Sequence, residues 1–347
     1  MQHRAFGRTG LRIPAIVFGT SILGNQYQVL PDETKRAIVR GWFEHVAPPV
    51  VVDCAGKYGA GLALEVIGRE LEALGVDPER ILISNKLGWR RAPLVTDEPA
   101  FEPGVWAGLA HDARQDVSRE GILRCWEEGL ALLGERYAPR LLSVHDPDEY
   151  LAAAASEPDR RQRWDDILGA YRALEELKRQ GKAAGVGVGS KDWRVIRELS
   201  DKVDLDWVML ANSLTVHRHP RELLDFLESL ARRGVGVVNS AVFHAGFLVG
   251  GEFFDYRRIT PDAPEDRARF EWRERFNRVC RRHAVEPSVA CVQFALSPPA
   301  VQSVALNSSR PDRIARNVAA VETLLPQAFW LEMKSEGLIE KSYPYLG

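Results

Sequence analysis

Three runs of apolar residues in this chain end on a group that titrates. Val50–Asp53 closes on a carboxylate, Ile81–Lys86 on an ammonium and Leu141–His145 on an imidazole; Tyr58 sits in the turn after Asp53. A charge at the end of a buried strand is costly unless something pairs it, so these groups are expected to meet. Their combined chemistry is specific. A free tyrosine titrates at about 10 and is a poor acid–base group near neutrality. A neighbouring ammonium favours the phenolate and draws that value toward the working range. A carboxylate beside the lysine would hold its charge and position, and a histidine would hydrogen-bond a carbonyl or hydroxyl and orient it. Such a set suits moving a proton onto or off an oxygen while a hydride moves at the adjoining carbon.

The elements that must position them can be read from the pattern. Short apolar runs fall at Ala15–Gly19, Val50–Asp53, Ile81–Lys86, Leu141–His145, Ala184–Val188, Trp207–Leu210, Val235–Asn239 and Val301–Leu306. They are continuous and β-branched, as strands buried on both faces of a parallel sheet are. Between them the spacing is helical. In Ala170–Gly181, for example, Leu174 and Leu177 recur among charges and Gly181 follows as a stop. Strand–helix alternation repeated about eight times predicts an α/β fold of the (β/α)₈ TIM-barrel type, formed as a single domain over residues 1–347. A doubly wound sheet would show a glycine-rich turn after its first strand, and Ala15–Gly24 holds none; Gly185, Gly187 and Gly189 lie within a strand instead. In a parallel barrel all strand ends on one face converge, so Asp53, Lys86 and His145 can meet although distant in sequence.

Two connections are long: Gly88–Val117, with Trp89, Phe101 and Trp106, and Gly250–Arg269, with Phe253, Phe254 and Tyr256. Long βα loops cluster at the C-terminal face of a barrel, where substrates bind. Trp89, Trp106 and His111 are therefore candidate substrate contacts, and His244 a candidate neighbour of cofactor or substrate. Trp193 and Trp207 read as core.

Composition narrows the function. The 347 residues are 45% hydrophobic and 27% charged, with formal net charge −2, which argues against nucleic acid as a partner. Arg278–Arg282 reads as a solvated helix face. No apolar stretch is long enough to span a bilayer, and Met1–Gly10 lacks a signal peptide's apolar middle. Cys54, Cys125, Cys280 and Cys291 have no paired spacing and suit a reducing compartment. A cytoplasmic enzyme acting on a small molecule is expected, its oligomeric state unspecified. Neither His217 with His219 nor Cys280 with His283 completes a four-ligand set, so no metal is expected.

The four residues also lie in recognisable motifs. Over nearly its whole length the chain resembles the aldo-keto reductase family. FGRTGLRIPAIVFGTSILG (Phe6–Gly24), DCAGKYGAG (Asp53–Gly61), SNKLG (Ser84–Gly88) and VHDPD (Val144–Asp148) look like that family's amino-terminal, aspartate–tyrosine, lysine and histidine segments, in order. The resemblance implies Tyr58 as general acid/base, Lys86 lowering its pKa, Asp53 supporting Lys86 and His145 orienting substrate. It also implies an extended NAD or NADP held without a Rossmann motif. Ser190 would lie near the nicotinamide amide, and Ser240, Phe243 and Gly246 along the midsection. Gly19, Thr20 and Asp53 would border the nicotinamide end, and Ser308, Arg313 and Asn317 the adenosine end.

Departures from the family pattern bear on the cofactor. Asn307 stands where many NADP-preferring members carry lysine, and this lost cation sets the lean to NAD, while Arg310, Arg313 and Arg316, the last in place of a glutamate, would partly restore a site for a 2′-phosphate. Ser240 replaces a stacking tyrosine, and Asn212 and Ser213 alter the motif after their strand. Within the family, GILRCWEEGLALLG, HDPD and NSAVFHAGFLVGG are most similar to the aldose dehydrogenases (L-fucose, D-threo-aldose, L-galactose) and to pyridoxal dehydrogenase. This implies oxidation of a sugar hemiacetal to a lactone as the expected reaction. The alternatives are an aldehyde or ketone reductase, a pyridoxal dehydrogenase and, in another class, a cofactor-sensing regulatory subunit resembling the potassium-channel β subunits.

Overall fold

A computed structural model describes residues 1–347. Eight parallel strands close into a barrel: β1 (Ile16–Gly19), β2 (Val50–Ala55), β3 (Ile81–Leu87), β4 (Leu141–His145), β5 (Gly185–Ser190), β6 (Trp207–Ala211), β7 (Gly236–Ser240) and β8 (Ser303–Leu306). Neighbours in sequence are neighbours in space, and β8 pairs β1 through Val304 with Ile16. Each of the eight predicted runs supplies one barrel strand. Several extend one or two residues further than their apolar core, because backbone pairing continues past the last hydrophobe: Val50–Asp53 runs on to Ala55, opposite Lys86.

Eleven helices accompany the strands, among them α1 (Asp32–His45), α2 (Leu62–Ala73), α3 (Arg119–Leu133), α4 (Pro147–Ala152), α5 (Glu157–Arg179), α6 (Trp193–Ser200), α7 (Arg221–Arg232), α8 (Pro264–Arg282), α9 (Pro287–Leu296), α10 (Arg313–Glu322) and α11 (Gln327–Ser335). Their apolar stripes cover the outer barrel face in two large clusters, one around β4 to β7 and the other around β8 to β3. Helix starts follow ordinary capping: Ser118 accepts from Gly121 N, and Ser156 from Asp159 N. Gly181, in the left-handed region at φ 74°, closes α5 as its position predicts. None of these helices is long and apolar enough to cross a membrane.

Inside the barrel, the floor and the working end are built differently. A short antiparallel hairpin, Arg4–Ala5 with Arg12–Ile13, precedes β1 and was not foreseen from the pattern. It inserts Phe6 and Ile13 among Val17, Val51, Leu82, Trp207 and Met209, sealing the N-terminal end with hydrocarbon. The glycine run of β5 belongs to this packing. A Cβ at Gly187 would come within 2.4 Å of the Trp207 ring, and one at Gly189 within 2.6 Å of Lys86 Cδ. These glycines clear the interior for two large side chains; no helix opens on them.

The two long connections are not irregular. Trp89–Pro93 pairs His111–Gln115, and Phe253–Phe254 pairs Arg257–Arg258, so each folds as a hairpin. The second connection ends at Ala263, where α8 takes over. Ala60, Phe101, Trp106, Leu109 and Ala113 form a small apolar cluster that props the first hairpin against the barrel mouth.

Candidate active site

Asp53, Lys86 and His145 emerge from β2, β3 and β4 at the same end of the barrel, and each is nearly inaccessible. Lys86 Nζ donates to Asp53 Oδ2, and Ser84 Oγ donates to Asp53 Oδ1 at 3.1 Å. Both carboxylate oxygens are thus engaged. Tyr58 lies above them. Lys86 Nζ is 4.8 Å from the centre of its ring, and the His145 ring meets it edge-on at 5.6 Å. Trp106 flanks the tyrosine from the first hairpin at 6.1 Å. The four candidates therefore share one site, fed by three strand ends and one turn.

Their electrostatics differ from expectation at one point. Lys86 was expected to draw the Tyr58 pKa down. Instead burial, followed by the Asp53 carboxylate, holds the phenol well above its usual value. Burial disfavours the phenolate outright, and the Lys86 ammonium is committed to the Asp53 carboxylate. Burial also holds the His145 pKa well below the ordinary histidine value, with the Lys86 and Lys57 charges adding to it. His145 is a neutral imidazole and Tyr58 a phenol. Together they present a hydrogen-bond donor and a proton donor to an oxygen placed between them.

These residues line one end of a cavity of about 940 Å³. The same cavity is bordered by Gly19, Thr20, Ser190, Ser240, Phe243, Gly246, Ser308, Arg313 and Asn317, so every residue expected at a cofactor faces one continuous groove. Thr20 Oγ1 donates to the Asp53 carbonyl at 2.8 Å, tying β1 to β2 at the groove floor. Ser240 spends its hydroxyl on the Leu210 carbonyl, so it contributes surface rather than a free donor. Three buried polar atoms of residues bordering the cavity remain without a partner: His145 Nδ1, Ser190 Oγ and Asn212 Oδ1. An unpaired buried polar group is unfavourable. The Ser190 hydroxyl and the Asn212 amide oxygen, from neighbouring strand ends, fit a carboxamide such as that of nicotinamide. At the far end Arg313 opens α10, and a helix start with nearby guanidiniums fits phosphate. The groove thus suits an extended dinucleotide.

Of the three candidate substrate contacts only Trp106 borders the cavity. Trp89 packs behind it, against Phe101 at 5.9 Å and the Lys57 ammonium at 5.0 Å. His111 is exposed and pairs Pro93 on the outer arm of the hairpin. Trp89 is spent on the apolar cluster that props the hairpin and His111 lies at its solvent end, so neither reaches the cavity. His244 does not border the cavity either. It is fully buried, stacked on Phe254 and bonded to Thr215 Oγ1 at 2.8 Å and Asp255 at 2.6 Å. Asp255, which does border it, also meets Arg218 at 3.1 Å. That anchor holds the loop after β7 over the groove, where Phe253 stacks on Tyr27 from the loop after β1 at 5.2 Å.

Residues that the motifs contained but that sequence reading passed over complete the mouth. Lys57 Nζ contacts Glu102 at 2.7 Å, Glu149 at 2.9 Å and Asp146 at 3.2 Å, and Lys191 Nζ contacts Glu149. Lys57 stands beside Tyr58 in DCAGKYGAG, Asp146 after His145 in VHDPD and Lys191 after Ser190 in VGVGSKDW. Adjacency to a catalytic position was the available signal. The remaining histidines and cysteines have structural surroundings. His217 packs edge-on against Trp272, His219 bonds the Thr215 carbonyl, and His283 meets Glu332 at 2.5 Å. Burial raises the Cys54 thiol to about 12, so it is no nucleophile.

The chain also has relatives among known proteins. The model of the Aldo/keto reductase family matches residues 15–336. The chain is similar to a pyridoxal 4-dehydrogenase from Microbacterium luteolum, at 32% identity over 97% of this chain and 98% of that one. It is also similar to a D-threo-aldose 1-dehydrogenase from a Pseudomonas species, at 26% identity over 96% and 97% of the two chains. Among solved structures, an aldo-keto reductase from Bacillus halodurans in its holo form shares the fold, with a TM-score of 0.70, 19% identity and 99% of each chain covered.

Proposed function

The chain belongs to the aldo/keto reductase family, and from that premise we propose that it is an NAD-dependent aldose 1-dehydrogenase, oxidising a sugar hemiacetal to a lactone. The observation that carries this reading is the single cavity in which Tyr58, Lys86, Asp53 and His145 meet a polar, aromatic-flanked mouth at one end and an anion-receiving groove at the other. A bound nicotinamide would supply the hydride chemistry at the anomeric carbon.

The protein's own residues handle the oxygen. His145 orients the anomeric hydroxyl, and Tyr58, once its phenol has released its own proton to solvent, accepts the hydroxyl proton at Oη as the C–O bond gains double-bond character; in reduction the Tyr58 phenol donates its proton to the carbonyl oxygen. Asp53 holds Lys86 against the tyrosine ring, so the phenolate formed on proton release sits beside an ammonium. Ser190 and Asn212 are suited to hold the carboxamide, and Arg313, Arg316 and Asn317 the phosphate and adenosine groups.

For the cofactor, NAD is favoured by two features. Asn307 brings no cation and gives its side-chain donor to Ser21 Oγ at 2.7 Å. Arg310 is held by both oxygens of Asp312. Four buried, unpaired thiols support a cytoplasmic location. A second reading, pyridoxal dehydrogenase, is favoured by the 32% identity to such a relative; it is the same oxidation carried out on a pyridine-bearing hemiacetal.

Steady-state assays with NAD and NADP against L-fucose, L-galactose, D-arabinose and pyridoxal test these readings together. Saturable lactone formation from an aldose is expected, with kcat in Tyr58→Phe lowered by about 10²- to 10⁴-fold. Turnover of pyridoxal alone would replace the sugar reading with the second one. Tight nicotinamide binding without turnover on any substrate would favour a cofactor-sensing subunit and sink the enzyme reading.

A further inference from the structure

The mouth of the cavity carries more fixed charge than proton transfer needs. Lys57, Lys191, Glu102, Asp146 and Glu149 all border it, on the substrate side of Tyr58 and His145. Lys57 is buried and meets three carboxylates. Lys191 meets Glu149 and lies 3.8 Å from Asp146. Burial works against both ammoniums, but the surrounding carboxylates outweigh it and raise both pKa values, so each lysine is charged.

Two ammoniums face three carboxylates, leaving one negative charge in excess. The other ion pairs that border the cavity on this side, Lys86 with Asp53 and Arg218 with Asp255, are each balanced. Tyr27, raised to about 12 chiefly by burial, and Tyr256, raised by burial, are neutral phenols. No lysine at the mouth is therefore free to receive an anion. An incoming phosphate or carboxylate would be desolvated beside excess negative charge, where low permittivity strengthens repulsion. A hydroxyl meets no such penalty, because it can donate to a carboxylate or accept from an ammonium. A protonated nitrogen would be attracted.

We propose that Glu102, Asp146 and Glu149, clamped by Lys57 and Lys191, form a charge filter that admits neutral and cationic substrates to Tyr58 and turns away phosphorylated or carboxylated ones. The filter deepens the reading of this cavity as the substrate site, and it holds for sugar or simple aldehyde alike. Asp146 is placed for it by a left-handed backbone at φ 47°, directly after His145, and its Oδ2 lies 3.6 Å from His145 Nε2. Charge at the filter is thus felt at the oxygen-orienting imidazole itself.

Two substrate series test it on the intact enzyme. The first compares an aldopyranose with its 6-amino-6-deoxy, uronate and 6-phosphate counterparts, all of which keep the anomeric hemiacetal. The second, in the reduction direction, compares benzaldehyde with 4-carboxybenzaldehyde and does not depend on sugar recognition. The anionic member of each series should have kcat/KM about 100-fold below the neutral one, mainly through KM. In Glu102→Gln and in Glu149→Gln the anion-to-neutral ratio should rise about tenfold. Comparing ratios between enzymes cancels the intrinsic reactivity of each aldehyde. An anion-to-neutral ratio near one in the parent enzyme, or a ratio unmoved in both variants, overturns the filter. Discrimination among benzaldehydes with no sugar turnover would retain the filter and remove the aldose reading.

Discussion

In the proposed mechanism the proton passes through Tyr58, whose state is set by what surrounds it rather than by tyrosine's own acidity. Burial and Asp53 hold its pKa well above 10, so it is protonated across the neutral range. The sign for catalysis follows. Reduction needs the phenol, which is present below that pKa and lost above it. Oxidation needs the phenolate and gains as pH rises. His145, held far below the ordinary value, is neutral and contributes no limb near 6.5. We expect log kcat/KM for reduction to be level from about pH 6 to 9, and that for oxidation to climb over the same range. An inflection near 6.5 that disappeared in His145→Gln would contradict this assignment. At the cofactor end, Asn307→Lys should shift kcat/KM toward NADP, measured as the NADP-to-NAD ratio, because it adds a cation beside Arg313 and Arg316. Asp53, Lys86 and His145 were legible because each is a polar group closing an apolar run, and Tyr58 because it follows Asp53 in the same motif. Trp89 and His111 were misplaced because a loop's residue types do not say which side chains pack the loop itself and which reach the cavity.

At the scale of elements, the barrel strands could be read from β-branched runs, since burial on both faces demands continuous hydrophobicity. The hairpins could not, because their short arms are polar and half-exposed. Glycine in β5 shows the same division. The sequence places Gly187 in a strand, but its purpose is visible only when Trp207 is seen against it. Gly187→Ala should destabilise the fold by about 1–3 kcal/mol, read as a lower urea midpoint, since the Trp207 ring cannot withdraw from a filled barrel floor. Gly41→Ala is the contrasting case. A Cβ there would touch Ile314 at an ordinary 3.5 Å within α1, so a gain of about 0.5–1 kcal/mol is expected. Equal midpoints for the two variants would contradict the packing argument.

Over the whole molecule, buried histidines make stability depend on pH. Burial lowers His217 to about 4, and His145 and His244 are also held below 6.5. In the unfolded chain these side chains take up protons near 6.5, before the folded ones do. Stability is therefore greatest above 6.5 and falls as pH drops from there toward the folded values. Carboxylates held low by arginine, such as Glu65 beside Arg91 and Asp116 beside Arg124, lose their contribution further into acid. Tm should decline between pH 7.5 and 5, and the slope should lessen in His217→Phe; an unchanged slope would count against the histidines as its source.

By itself the sequence determined the barrel and which polar groups close its strands, from apolar runs and strand ends. The residues expected along the groove came from the resemblance to the aldo-keto reductase family. Tertiary structure decided the rest. It buried Tyr58 and so left it a phenol, spent Trp89 on packing the first hairpin and left His111 in solvent, buried His244 as an anchor and gathered Lys57, Lys191 and three carboxylates at the mouth. Those outcomes depend on which side chains from distant segments share the same few ångströms, and charge or hydrogen bonding at that range is not written in any one of the segments.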